Sequence, residues 1–166
     1  MIKKTIIILL FSGMLLFSQT NLSNKYRLAK TYEQSGKLEK AKVIFEELVA
    51  TAPTNIQYSN SLNDIYLKLK DYDKSISFLL NRIKIRPNDV SLYGMLGSTH
   101  YISGDIEKAV EVWNKGILLN NNSQINYTII SNYAVQNRAF EMAEKYLEEA
   151  KSKAKDPTQF YFLQIE

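Results

Sequence analysis

The feature that most constrains the fold of this chain is a sequence pattern that repeats every 34 residues. The stretch SGKLEKAKVIFEELVA, which starts at Ser35, returns from Ser103 as SGDIEKAVEVWNKGILL, with a glycine, an alanine and a large aromatic residue at the same spacing. Sequences with such a period build one small unit several times and stack the copies, because a single unit cannot bury its own apolar face. Four blocks align without a gap, at residues 22–55, 56–89, 90–123 and 124–157.

Four columns of this alignment alternate between compact and large apolar residues at helical spacing. Compact residues let the two helices of one block approach closely, and a large residue one turn away fills the space beside them. We therefore expect all four columns to be packed in the interior. In block order they are Leu28, Leu62, Leu96 and Ile130; Ala29, Asn63, Gly97 and Ser131; Ala41, Ser75, Ala109 and Ala143; and Phe45, Leu79, Trp113 and Leu147.

Each block predicts two helices of about 14 residues joined by a short turn. Gly36 and Gly104 stand at two of these turns, where a left-handed residue ends the first helix, and Lys70–Asp71 and Asn137–Arg138 take the same place in the other blocks. A proline follows the second helix of the first two blocks and prevents its continuation. The predicted helices are 22–35, 38–51, 56–69, 72–85, 90–103, 106–119, 124–137 and 140–154, with a ninth beginning near Pro157.

The period and the order of leucine, small residue, tyrosine, alanine, large apolar residue and proline resemble the tetratricopeptide repeat family. The resemblance covers residues 22–157. It implies an all-α fold, a right-handed superhelical solenoid of helix-turn-helix repeats, in which the first helix of each pair lines a concave groove. It also implies that the groove holds a peptide segment or a partner helix.

The N-terminal residues predict a secretory signal over residues 1–18, followed by the repeat array over 19–157. Lys3 and Lys4 precede an apolar run over 6–17, which is shorter than the roughly 20 residues of a membrane-spanning helix. We therefore expect export to the periplasm or cell envelope after cleavage near Ser18. An uncleaved membrane anchor formed by residues 6–17 is the alternative.

The C-terminal residues, 158–166, predict the start of a further helix. The stretch TQFYFLQIE is too apolar to act as the solvating cap of a repeat array. It indicates either a segment that packs over the last helix pair or the first part of an incomplete fifth repeat, which is the reading we favour.

The composition contains little that would support catalysis or nucleic-acid binding. The chain has no cysteine and one histidine, His100, which falls in a column of the alignment that faces a neighbouring helix. The net charge is +4 and becomes 19 − 17 = +2 when the signal is removed, and the lysines and arginines form no concentrated stripe. We expect no enzyme activity, no metal, no cofactor and no nucleic-acid partner.

The resemblance places seven polar or aromatic residues on the groove side of the first helices. Lys30 would suit capture of a terminal carboxylate, but Asp64 and Ser98 depart from the pattern of the family's carboxylate clamp. The set fits an internal, extended partner segment held by hydrogen bonds and aromatic contacts better than it fits a terminal carboxylate. A surface that is merely solvated fits the set as well as the internal segment does. The seven residues are Tyr26, Lys30, Asn60, Asp64, Ser98, Tyr101 and Asn132.

Two functions remain consistent with these observations. The first is an exported scaffold that binds another protein or a peptide segment in the groove of the array. The second is a structural subunit, or a part of a larger repeat assembly, that self-associates through the apolar C-terminal end. Any contact with a membrane is expected only through an uncleaved N-terminal segment.

Overall fold

The computed structural model describes residues 21–121 and 124–153, and over those residues it consists of helices and short connections without strands. The predicted all-α class is confirmed. Helix α1 runs through residues 21–34 of the described range. The other helices are α2 (Leu38–Thr51), α3 (Ile56–Lys68), α4 (Tyr72–Ile85), α5 (Val90–Ser103), α6 (Ile106–Leu118), α7 (Gln124–Gln136) and α8 (Phe140–Lys153), with a 3-10 turn at Leu119–Asn121.

The turn inside each repeat contains one residue in the left-handed conformation, as predicted. Gly36 has a φ of 72° and Gly104 a φ of 94°. Lys70 and Arg138 occupy the same position of their repeats and also have positive φ, 58° and 60°. All four turns therefore have one geometry, and in two of them a residue with a side chain adopts it at an energetic cost.

Proline and asparagine define the boundaries between repeats. Helix α2 ends just before Pro53 and α4 just before Pro87, because proline cannot donate the next helical hydrogen bond. Asn120 is left-handed, with a φ of 48°, and follows α6. The side chain of Asn55 accepts a hydrogen bond of 3.1 Å from the backbone N–H of Tyr58 and so caps the start of α3.

The described residues form two compact units, with the boundary between Lys70 and Asp71. In unit 1 the interior is built from small and large residues in alternation, as the alignment predicted. Ala41 and Phe45 of α2 are fully buried, as is Ala29 of α1. The ring of Tyr26 meets that of Phe45 edge-on with centroids 5.8 Å apart.

In unit 2, α5 packs against α4, α6 and α7, and α7 packs against α8. Trp113 of α6 is fully buried, which confirms its predicted place in the core. Its indole lies over Gly97, where an added Cβ would come within 2.3 Å of the ring. The indole N–H donates a hydrogen bond of 3.1 Å to the carbonyl oxygen of Gly94, so the two glycines of α5 position the tryptophan.

One column of the alignment departs from its expected burial. Leu62, Leu96 and Ile130 are buried, but Leu28 is 47% exposed, so the expectation that it packs in the interior is wrong. The difference follows from position. Ile130 lies against Gly116 of α6, the second helix of the preceding repeat, whereas Leu28 belongs to α1, the first helix that the structure describes.

Ser75 stands at a position where the other three repeats carry alanine, and a hydrogen bond of its side chain explains the difference. Its hydroxyl is buried and lies 3.0 Å from the hydroxyl of Thr99 in α5, with which it shares a hydrogen bond.

The predicted signal segment and the predicted ninth helix lie outside the described residues. Within the described ranges, no helix is both long and apolar enough to cross a bilayer.

Candidate partner-binding surfaces

The seven predicted groove residues divide between two surfaces, one in each unit. The α1–α3 surface consists of Tyr26, Lys30, Glu33, Asn60, Asp64 and Lys68, and the α5–α7 surface of Ser98, Tyr101 and Asn132. Glu33 and Lys68 were not among the seven. The contacts of the two surfaces differ in kind, and each surface is described separately.

Charged side chains from two helices converge at the centre of the α1–α3 surface. Lys30 lies one turn before Glu33 in α1, and its Nζ is 2.5 Å from Glu33 Oε2. Lys68 reaches across from α3 and places its Nζ 2.5 Å from Glu33 Oε1. The Glu33 side chain is only 6% exposed, so both of its oxygens are committed to the two lysines.

The two carboxylates of this surface have opposite pKa shifts. Burial acts to raise the pKa of Glu33, but the hydrogen bonds from Lys30 and Lys68 outweigh it and the pKa is lowered. The hydrogen bond to Glu33 in turn raises the pKa of Lys30. Partial desolvation, followed by repulsion from Glu33, raises the pKa of Asp64, although its side chain keeps access to solvent.

Tyr26 holds α1 against its neighbours and is half-buried. Its ring stacks on Tyr58 of α3 with centroids 5.4 Å apart, and its hydroxyl lies 3.3 Å from the hydroxyl of Ser61, with which it shares a hydrogen bond. Asn60 is also half-buried and lies one turn before Asp64. Tyr26 therefore contributes an aromatic edge to the surface and supports the packing beneath it.

The three residues of the α5–α7 surface differ in their exposure. Ser98 is buried, and its hydroxyl accepts a hydrogen bond of 2.7 Å from the amide of Asn137, so it joins α5 to α7 instead of offering a group to a partner. Tyr101 is half-buried and stacks on Trp113 with centroids 5.7 Å apart. Asn132 is exposed and is the member of the set that a partner reaches most readily.

Close packing of α5 against α7 explains why Ser98 is covered. An added Cβ at Gly94 would lie 2.1 Å from the ring of Tyr133, which rests directly on the α5 backbone. Asn137, in the turn directly after α7, is then close enough to donate to Ser98. Gly94 is the sequence feature that indicates this close approach, because a glycine leaves room for the ring of Tyr133.

The described residues contain no group of three or more histidine, cysteine, aspartate or glutamate side chains that could hold a metal ion. His100 is half-buried at the end of α5, where burial lowers its pKa, and its Nδ1 is 3.8 Å from Asp105 Oδ2. This position agrees with the packing role that the alignment predicted.

The fold and these surfaces define a class, the α-helical solenoids built from helix-turn-helix repeats. The tetratricopeptide repeat model matches residues 22–55, 60–89 and 90–123, which is more than half of the 166 residues, and the chain belongs to that family. Helices α7 and α8 add a pair with the same 34-residue offset. Arrays of this family are scaffolds for interactions between proteins.

Relatives and solved structures agree with this assignment. The BBSome complex member BBS4 of Mus musculus is 25% identical over 108 residues, which is 65% of this chain and 21% of that protein. The Bos taurus protein of the same name is 27% identical over 94 residues, 57% of this chain and 18% of that protein. The chain therefore spans about a fifth of the length of these relatives.

Solved structures of MamA share the fold. One crystal structure of MamA is 21% identical, covers 86% of this chain and 84% of that chain, and superposes with a TM-score of 0.53. Residues from 41 to the end of MamA from Desulfovibrio magneticus RS-1 are 18% identical, cover 79% and 74% of the two chains, and give a TM-score of 0.52.

Proposed function

We propose that this chain is an exported, non-enzymatic scaffold that holds an internal segment of a partner protein against the first helices of its repeats. The observation that carries the proposal is the α1–α3 surface. It combines an exposed carboxylate at Asp64, a half-buried amide at Asn60 and a half-buried aromatic ring at Tyr26 on a firmly packed pair of helices. Rigid surfaces of mixed polar and aromatic groups bind extended peptides with little loss of conformational entropy.

The location of the partner is tested by site-specific photo-crosslinking. A photoreactive phenylalanine derivative replaces Asn60 in α3 or Asn132 in α7, and the protein is irradiated in the cells that produce it. We expect crosslinked partner adducts from both positions. Matched controls are Val43 of α2 and Lys145 of α8, both exposed residues of second helices. Equal yields from the control positions would remove the first helices as the binding surface.

Export is proposed from the sequence of residues 1–18. A basic start, an apolar run of about 12 residues and a polar end are the three parts of a secretory signal. We propose the periplasm or cell envelope as the location of the mature chain. Retention through residues 6–17 as a membrane anchor is the alternative outcome.

A second candidate function, self-association, is favoured by the apolar residues near the C-terminus. Phe160, Phe162 and Ile165 lie in an apolar stretch that a second copy of the chain would shield from water. Sedimentation of the full chain at several concentrations tests this function. A monomer at all concentrations contradicts it, whereas an oligomer that dissociates on Phe160→Ser with Phe162→Ser supports it over the scaffold that binds as a monomer.

A further inference from the structure

Asp64 is the carboxylate of the α1–α3 surface that its neighbours leave without a counter-charge in contact. Its side chain is exposed on α3, and it forms no ion pair with any residue in the described ranges. The two lysines of the same surface, Lys30 and Lys68, both direct their Nζ atoms to Glu33 at 2.5 Å. Each lysine is therefore already engaged with a more deeply buried acid.

This arrangement is unfavourable for the isolated chain. Partial desolvation and the nearby Glu33 carboxylate raise the pKa of Asp64, and the charges of Lys68 and Lys30 offset this only in part. A charged group that is destabilised in the free protein gains more from a new counter-charge than a well-solvated one does. A donor supplied by a second molecule would restore the missing interaction.

We propose that Asp64 receives the side chain of one lysine or arginine from the partner segment that lies across α1 and α3. The proposal rests on the proposed function and specifies the chemistry of its partner. An ammonium or guanidinium group complements a single exposed carboxylate, and a guanidinium can donate two parallel hydrogen bonds to it. A metal ion fits poorly, since the described residues supply no group of three acidic or histidine ligands.

The two lysines restrict the sequence of the partner further. Their side chains are 36% and 52% exposed, so their positive charge is felt by whatever lies beside Asp64. A run of several basic residues would therefore be repelled, and a free C-terminal carboxylate placed at Asp64 would meet a like charge. The structure favours one basic residue flanked by neutral or acidic residues.

Selection from a displayed library of random 12-residue peptides tests the inference with the full purified chain as bait. The variants are Asp64→Asn, Asp64→Lys and a control, Glu144→Gln, an exposed acid of α8 outside both surfaces. We expect the wild-type chain and the control to enrich peptides with one lysine or arginine at a fixed position. Asp64→Asn should lose that enrichment, and Asp64→Lys should select aspartate or glutamate there.

A peptide selected by the wild-type chain then provides a second measurement. Replacing its basic residue by glutamine should weaken Kd roughly threefold to tenfold for the wild-type chain and leave Kd for Asp64→Asn unchanged. Equal enrichment of basic residues by wild type and Asp64→Asn overturns the inference but leaves the proposed function standing. Failure of the wild-type chain to enrich any peptide overturns the proposed function, and the inference with it.

Discussion

At the scale of single residues, Glu33 and Asp64 show how one pair of lysines can stabilise one acid and leave another unsatisfied. Glu33 is half-buried and holds both cations, so its ionised form stabilises the fold. Asp64 is exposed and destabilised by the same neighbourhood. A residue that costs stability while facing solvent is the kind of residue that binding surfaces retain.

The first prediction is that Asp64→Asn raises the free energy of unfolding at pH 7 by a few tenths of a kcal/mol, about the size of an exposed charge interaction. The folded pKa is raised above the ordinary value of 3.8, so the ionised carboxylate destabilises the folded state at neutral pH. The gain should shrink as the pH falls through the raised folded pKa and disappear below 3.8, where the aspartate is protonated in both states. Urea titrations at several pH values measure it.

Glu33→Gln provides the opposite case in the same helix pair. Its folded pKa is lowered from 4.5, so its contribution is present above that value and is lost as the pH falls through the lowered pKa. The glutamine variant should therefore be less stable than the wild type at pH 7, and the difference should diminish in acid. Loss of stability by both variants at pH 7 would contradict the contrast drawn between the two acids.

The second prediction concerns the column of compact residues in the first helices, Ala29, Asn63, Gly97 and Ser131. Ser131 is buried, and its hydroxyl has no hydrogen-bond partner in the described part of the chain. Ser131→Ala should therefore raise the free energy of unfolding by about 1 kcal/mol, since it removes an unsatisfied polar group. A loss of stability on thermal or urea unfolding would instead show that the hydroxyl is hydrogen-bonded.

Gly97→Ala, at the same position of the preceding repeat, should have the opposite effect. The added Cβ would lie 2.3 Å from the ring of Trp113, and overpacking of this kind costs about 1–3 kcal/mol. Alanine is the better helix former by about 1 kcal/mol, which offsets the cost only in part. The two variants together distinguish the effect of volume from that of polarity in one column.

At the scale of the helix pair, the left-handed turn is the feature that every repeat shares. It reverses the chain in the shortest distance and lets the backbone groups at the helix end form their hydrogen bonds. The N–H of Arg138 donates to the carbonyl of Val135 and that of Ala139 to the carbonyl of Ala134. A side chain at this position adds strain that glycine avoids, so the geometry of the turn is imposed by the packing of the repeat.

The third prediction follows from this strain. Arg138→Gly should raise the free energy of unfolding by about 0.5–1 kcal/mol, because the left-handed region costs an ordinary residue about 1–2 kcal/mol and the flexibility of glycine in the unfolded chain offsets part of the gain. Lys145→Gly, at an exposed interior position of α8, is the matched control and should lower it by about 1 kcal/mol. Equal losses in both variants would contradict the strain at the turn.

At the scale of the whole molecule, the repeat made the helix boundaries predictable. Turn residues recur at one position in each block, so α2, α4 and α5 begin and end where the sequence predicted, and α3 and α6 end one residue earlier than predicted. The exposure of Leu28 was not predictable from its column, because the column does not show which neighbouring helix covers a residue, as Gly116 of the preceding repeat shows for Ile130. The burial of a residue therefore depends on its position in the array as much as on its residue type.

The surfaces were less predictable than the core for a different physical reason. Long side chains reach neighbours that the alignment does not bring together. Lys68 lies outside the predicted groove columns, yet its flexible chain spans from α3 to Glu33. Ser98 shares a column with Lys30 and Asp64 but is too short to extend past Asn137. The binding roles of the seven groove residues stay predictions that crosslinking and peptide selection test.

The last prediction concerns the mature chain as a whole. The apolar run over residues 6–17 would span about 18 Å as a helix, well short of the roughly 30 Å hydrocarbon core of a bilayer. A segment of this length is typical of a secretory signal and shorter than most membrane anchors, which favours the prediction of cleavage. We expect the chain isolated from the cell envelope to begin near Gln19, as measured by intact-mass spectrometry with N-terminal sequencing. Arg27→Ala, outside the signal, is a control that should leave cleavage unchanged, whereas Leu10→Arg should interrupt the apolar run and hold the full-length chain in the cytoplasm. Recovery of intact chains with Met1 from the membrane fraction would contradict cleavage and favour the anchor.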